Sequence, residues 1–295
     1  MAEEKKQTST AHVGKKAANP QAKLAIVGVV CALVGCLVGA LGMRSLGGTA
    51  VSGKALATAT LSESQLDDVI GTYTYNGEKH DITARETILE TSSLDAAKND
   101  DGSYNVPSVD NVLSMARNSI IAEAAEAEGV TVSDDEVSAY AESTIGSSDY
   151  ATLASNYNMD EDQVKKLMTT SAVLKKLHDQ KVTTSVPDAP TAPSSPSDDA
   201  KDTPTADYAQ YIINLVGDEW DSGANTWART DGPYYAALSS YTISNDSATY
   251  DAAQAAYYVA YSNYSTANQQ ATTEWTNYVN GLLSNATITL NSLMA

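Results

Sequence analysis

Few residues in this 295-residue chain are of types that do covalent or acid–base chemistry. Its three histidines, His12, His80 and His178, are scattered, and both cysteines, Cys31 and Cys36, fall in one apolar run near the N-terminus. The rest of the chain therefore has neither a disulfide framework nor a Cys-based metal site. His178 ends a helical stripe with Asp179 beside it, where a positive charge complements the helix dipole, so we read it as a helix-end group rather than a base. The carboxylate runs Asp134-Asp135 and Asp160-Glu161-Asp162 open helices, where the same dipole accounts for them. The KNDDGSYN stretch at 98–105 has a calcium-loop flavour. With Gly102 at its sixth position, however, Ala97 stands where the first carboxylate is required, and a plain loop is expected. There is no G-x-S-x-G elbow, H-E-x-x-H, Walker loop or dinucleotide fingerprint. No catalytic residue, metal or cofactor is expected.

The aromatic residues carry more information. There are 17 Tyr and no Phe, and 11 of the Tyr together with all three Trp lie beyond residue 206. From about 247 to 283 the pattern predicts one very long helix, roughly 50 Å if continuous. Along it Tyr250, Ala253, Tyr257, Tyr261, Tyr264, Asn268, Ala271, Trp275, Tyr278 and Leu282 recur in steps of three and four. Two readings stay open for this seam: packing on neighbouring helices, or a polypeptide-binding face made of Tyr250, Tyr257, Tyr261, Tyr264, Trp275 and Tyr278.

Other elements are marked by their caps and turns. The run 69–83 is β-rich with Asn76-Gly77 at its centre, a hairpin signal. Thr83 and Glu86 form a capping box for a short helix to about 90, and Ser133 and Glu136 form another. Val109, Val112, Leu113, Ala116, Ile120, Ile121 and Ala124 mark a helix bounded by Pro107 and Gly129. A shorter helix is expected at 150–156. Val164, Leu167, Met168, Ser171, Leu174 and His178 mark a long one from about 160. Shorter helices are expected at 208–219 and 234–240, and 286–290 alternates as a single strand.

Residues 24–43 form 20 uncharged positions, enough for one bilayer span. Five Lys precede them (Lys5, Lys6, Lys15, Lys16, Lys23), so the positive-inside bias places residues 1–22 in the cytoplasm and the bulk of the chain outside. An alternative anchor is a lipid on Cys36, since Leu33-Val34-Gly35-Cys36 has the form of a lipobox; it leaves the location unchanged. The exported part carries 13 basic against 35 acidic residues, a net −22, which excludes a nucleic-acid partner. The expected organisation is a tail at 1–22, a span at 23–43, a flexible tether at 44–60 and a helical domain with a small β element at 61–182. A Pro-rich linker follows at 183–206, holding five of the eight Pro, and then a Tyr-rich helical region at 207–295. The fold class is mainly α.

Three phrases, YNGEKHDITARE, IIAEAAEAEGVTVSDDEVSAYA and NYNMDEDQVKKLMTTSAVLKKLHDQKV, resemble in order and spacing the N-terminal chaperone domain of the SurA, PrsA and trigger-factor-like foldases. The closing TEWTNYVNGLLSNATITL is similar to the helix and strand with which those chaperones return to that domain. The first phrase departs by two extra residues before Ile82. The parvulin prolyl-isomerase domain often found in this family has no counterpart, because the stretch between Val182 and Gln270 lacks both His and Phe. The resemblance implies a bacterial extracytoplasmic chaperone that binds unfolded exported proteins without ATP and is not an enzyme. The long aromatic seam and the missing isomerase fit a rival reading, a cell-envelope scaffold gripping one fixed partner.

Overall fold

The computed structural model describes residues 50–53, 59–197 and 200–291, which are mainly helical. The tail and the span expected at 24–43 lie outside the described residues. Among those described, no helix is long and apolar enough to cross a membrane. The chain divides into two compact units, one running to Gln180 and resuming at Tyr278, the other comprising Lys181–Asn277.

The first unit is built on a four-stranded sheet in the order β1-β8-β3-β4. β3 (Val69–Tyr75) and β4 (Glu78–Thr83) form the expected hairpin, and Asn76 and Gly77 both adopt positive φ, 49° and 85°, as a tight primed turn requires. β8 (Ala286–Leu290) pairs antiparallel with β3, from Gly71 opposite Leu290 to Tyr75 opposite Ala286. Its other edge pairs in parallel with β1 (Ala50–Gly53). Within the stretch 44–60 expected as a tether, residues 50–53 form β1, and Thr60 at its end opens β2 (Thr60–Leu61), which pairs with β5 (Tyr104–Asn105). Small side chains suggested a free tether, but β8 supplies the backbone partners that make a strand of them.

Helices cover this sheet and extend from it. α1 (Ala84–Leu89) starts at the Thr83–Glu86 capping box, and α2 (Leu94–Ala97) follows it. α3 (Val109–Ala127), N-capped by Ser108, buries Val112, Leu113, Ala116, Ile120, Ile121, Ala124 and Ala125 and packs on β3, β4 and β8. Its approach is so close that a Cβ on Gly71 would lie 2.6 Å from Val112 Cγ1. α4 (Asp134–Ile145) opens on the Ser133–Glu136 box and closes at Gly146, which adopts a left-handed conformation. It packs with α5 (Tyr150–Tyr157) and α6 (Glu161–Lys181) around Val137, Ala141, Leu153, Val164 and Met168. In α6 the buried stripe ends on Leu177, and His178 sits beside it, 3.1 Å from Asp179. The 98–105 loop is a turn in which Asp101 accepts from the backbone and hydroxyl of Ser103.

The second unit contains α7 (Ala206–Val216), a 3-10 turn, the hairpin of β6 (Trp220–Asp221) with β7 (Thr226–Trp227), and α8 (Pro233–Leu238). It also contains most of α9 (Tyr250–Leu283), whose last residues belong to the first unit. Ala209, Ile212, Val216, Trp220, Leu238, Ala248, Ala252, Ala253 and Ala256 form its core. Glu219 is 2% exposed and accepts the backbone N–H of Tyr235 at 2.9 Å, so its carboxylate serves the N-terminus of α8.

The Pro-rich stretch is extended and mostly exposed, as expected of it, and it is also tied down by side chains. It is strapped to the helices of its own unit. Tyr211 donates to the Thr191 carbonyl at 2.7 Å and Tyr208 to that of Ser194 at 2.9 Å, while the Tyr250 hydroxyl lies 3.0 Å from Ser195 Oγ. Pro193 is buried. At the start of the strap, Glu274 accepts the backbone N–H groups of Thr183 and Thr184 at 2.7 and 3.1 Å and the Thr184 hydroxyl at 2.6 Å. Proline fixes the extended backbone without supplying donors, so side chains from helices complete the pairing.

Two predictions follow from this packing. Gly71→Ala should destabilise the first unit by about 1–3 kcal/mol in urea denaturation, because the new methyl must displace Val112 in a close-packed layer. Hydrogen bonds from Thr184 and the two backbone amides hold the Glu274 carboxyl down at about 2, against an ordinary 4.5. A carboxyl depressed in the folded state stabilises above its unfolded value and loses that contribution as pH falls through its folded value. The Thr183 and Thr184 amide resonances should therefore shift in NMR with a midpoint near 2, and Glu274→Gln should abolish that transition.

Candidate polypeptide-binding surfaces

The first unit carries a concavity of about 720 Å³. It is formed by the C-terminal end of α1, Met115 of α3 and the opening turns of α6. Leu89, Met115 and Leu167 supply apolar surface, and Glu86, Glu90 and Asp160 to Asp162 supply carboxylates, with Lys166 the cation among them. Gln163 fixes its wall by donating from Nε2 to the carbonyls of Leu89 and Ser92, the latter at 3.0 Å. Its Oε1 is buried without a partner. Burial raises the Glu90 carboxyl above the ordinary carboxylate range, and the Lys166 charge pulls it back. Half-buried Leu89, Met115 and Leu167 beside exposed Glu86, Asp160, Glu161 and Asp162 suit a segment of extended chain.

Sequence reasoning missed this groove because its parts come from three separated helices. Only Leu167 carried a signal: it belongs to the apolar stripe of α6, yet it is left half-buried while Val164 and Met168 are buried.

The six aromatic residues expected to form one seam have different surroundings. Tyr250 is 8% exposed and Trp275 4%, both buried as packing. Tyr278 belongs to the first unit, and its hydroxyl donates to Glu128 at 3.0 Å. Tyr257, Tyr261 and Tyr264 do stand together, joined by Tyr258, which the sequence pattern left out. Ring centroids are 5.6 Å apart for Tyr257–Tyr258, 5.9 Å for Tyr257–Tyr261 and 6.3 Å for Tyr261–Tyr264. Tyr258 is 62% and Tyr261 50% exposed, so this row is a surface. The α9 stripe that is buried in the second unit consists mainly of alanines, Ala252, Ala253, Ala256, Ala260 and Ala271.

A third cluster joins the sheet to α3. His80 stacks on Tyr73 with centroids 4.7 Å apart, the Tyr73 hydroxyl donates to Glu123, and His80 Nε2 lies 3.6 Å from the same carboxylate. Burial first, then the Glu123 hydrogen bond, pushes the Tyr73 phenol well above its ordinary value. A phenol held protonated in this way is a hydrogen-bond donor, and the cluster acts as a tie between layers. Among the described residues no group of His, Cys, Asp or Glu could hold a metal ion.

No family model, curated protein or solved structure matches the chain.

The different burial of the tyrosines predicts different costs. In chemical denaturation Tyr261→Ser should change stability by less than about 0.5 kcal/mol, as exposed substitutions do. Tyr250→Ser should cost about 3 kcal/mol, because it removes a buried ring and its hydrogen-bonding hydroxyl.

Proposed function

We propose that this protein is an extracytoplasmic chaperone that holds unfolded exported polypeptides without ATP and without covalent chemistry. The observation that carries the reading is the open groove of the first unit, a preformed concavity lined by Leu89, Met115 and Leu167 together with hydrogen-bonding groups. Methionine and leucine on a binding surface accommodate varied side chains, which suits a holder of many clients. The resemblance of the 75–182 phrases to the SurA and PrsA chaperone domains supports the same reading, as does the pairing of β8 with β3. In this proposal residues 24–43 anchor the protein with its N-terminus in the cytoplasm; a lipid on Cys36 is the alternative anchor.

A second reading, an envelope scaffold gripping one fixed partner, is favoured by the exposed row of Tyr257, Tyr258, Tyr261 and Tyr264, whose rings support one another and so lose little freedom on binding.

Light scattering separates the two. The full chain, in nanodiscs, should slow aggregation of several unrelated heat-unfolded or reduced clients at near-stoichiometric ratios, since holding acts by mass action on the unfolded state. It should not accelerate proline isomerisation. Protection of none of these clients by the folded protein would favour the scaffold.

A further inference from the structure

Two groups in the groove of the first unit are left unexplained by folding. Glu90 is the C-cap of α1, the helix end at which the dipole disfavours a carboxylate, and it is half-buried there. Gln163 Oε1 is a buried acceptor with no donor, although the Nε2 of the same amide is used twice. Leaving a buried acceptor unmade is costly. The other lining carboxylates have local roles: Glu86 completes a capping box, and Glu161 and Asp162 lie in the first turn of α6. They nevertheless converge on the concavity that holds Glu90, opposed by Lys166.

We infer that this groove takes an extended polypeptide segment carrying Lys or Arg beside apolar residues. The inference rests on the holding reading above and names the kind of segment held. Charge complementarity selects the occupant: the lining offers five carboxylates against Lys166, together with the apolar Leu89, Met115 and Leu167. An alternating cationic and apolar strand presents one kind of side chain to each, because successive side chains of an extended chain point in opposite directions.

The test is fluorescence anisotropy with the full chain in phosphatidylcholine nanodiscs and three labelled 12-residue peptides. One alternates Lys with Leu and Val; in the others Gln or Glu replaces every Lys. The Lys peptide should bind about tenfold more tightly than the Gln peptide, and the Glu peptide most weakly. The near-isosteric pair Glu90→Gln with Asp162→Asn should erase most of that preference. Asp188→Asn with Asp202→Asn, which removes the same charge from exposed positions of the second unit, should preserve it. Lys166→Gln should tighten the Lys peptide, an effect opposite to that of misfolding. Equal binding of all three peptides, or an equal loss in both double variants, overturns the cation preference and leaves holding intact. Binding of none of them, together with no protection of clients, overturns holding as well.

Discussion

The first unit depends on one close approach, that of α3 to the sheet. Gly71 has no side chain on the face where Val112 sits, so the helix lies almost on the backbone of β3. Val112, Ala116, Ile120 and Ile121 are completely buried as a result. Interiors packed at this density leave no room for adjustment, so the position of α3 fixes whatever is attached to it. Tyr73 and Glu123 tie the same two layers together with a hydrogen bond. α1 follows directly from β4 and packs on α3, which sets Leu89 and Glu90 opposite Met115. The groove is the gap left where α6 meets these two helices.

What could be read from the sequence was local. The capping boxes at Thr83 and Ser133, the Asn76-Gly77 turn and the apolar period of α3 each depend on residues within one or two turns of chain, and the structure has all of them. What could not be read depends on distant partners. β1 contains only Ala, Val, Ser and Gly and becomes a strand because β8, more than 230 residues later, pairs with it. The β6–β7 hairpin has strands of only two residues, too short for alternation to show. In α9 the spacing of the tyrosines left packing and binding both open, because rings at helical intervals suit either. The helices of the second unit approach closely enough that alanines fill most of the seam beside the buried Tyr250 and Trp275, and Tyr258 and Tyr261 are displaced to the surface.

That displacement accounts for the use of Tyr in place of Phe. A phenylalanine on the flank of α7 or α9 would cover apolar surface equally well but could not donate a hydrogen bond. The strap at 183–197 has carbonyls in need of donors, and Tyr208 and Tyr211 provide them. Tyr73 and Tyr278 direct the same group at Glu123 and Glu128 in the first unit, and burial, reinforced by the adjacent carboxylate, raises both phenols and keeps them protonated. The aromatic bias is thus partly a supply of hydroxyl donors on rigid stems.

The place of β8 between β1 and β3 also constrains the order of events during biosynthesis. A growing chain makes β1, β3 and β4 early, but β1 and β3 are joined only through residues 286–290. Until those residues are available, β3 has an open edge on one side, and β1 has no neighbour in the sheet. Contacts of such sequence separation form slowly, because a long loop must close before any pairing is gained. The first unit therefore remains open to unfolding, and to other strands, until residues 286–290 have emerged.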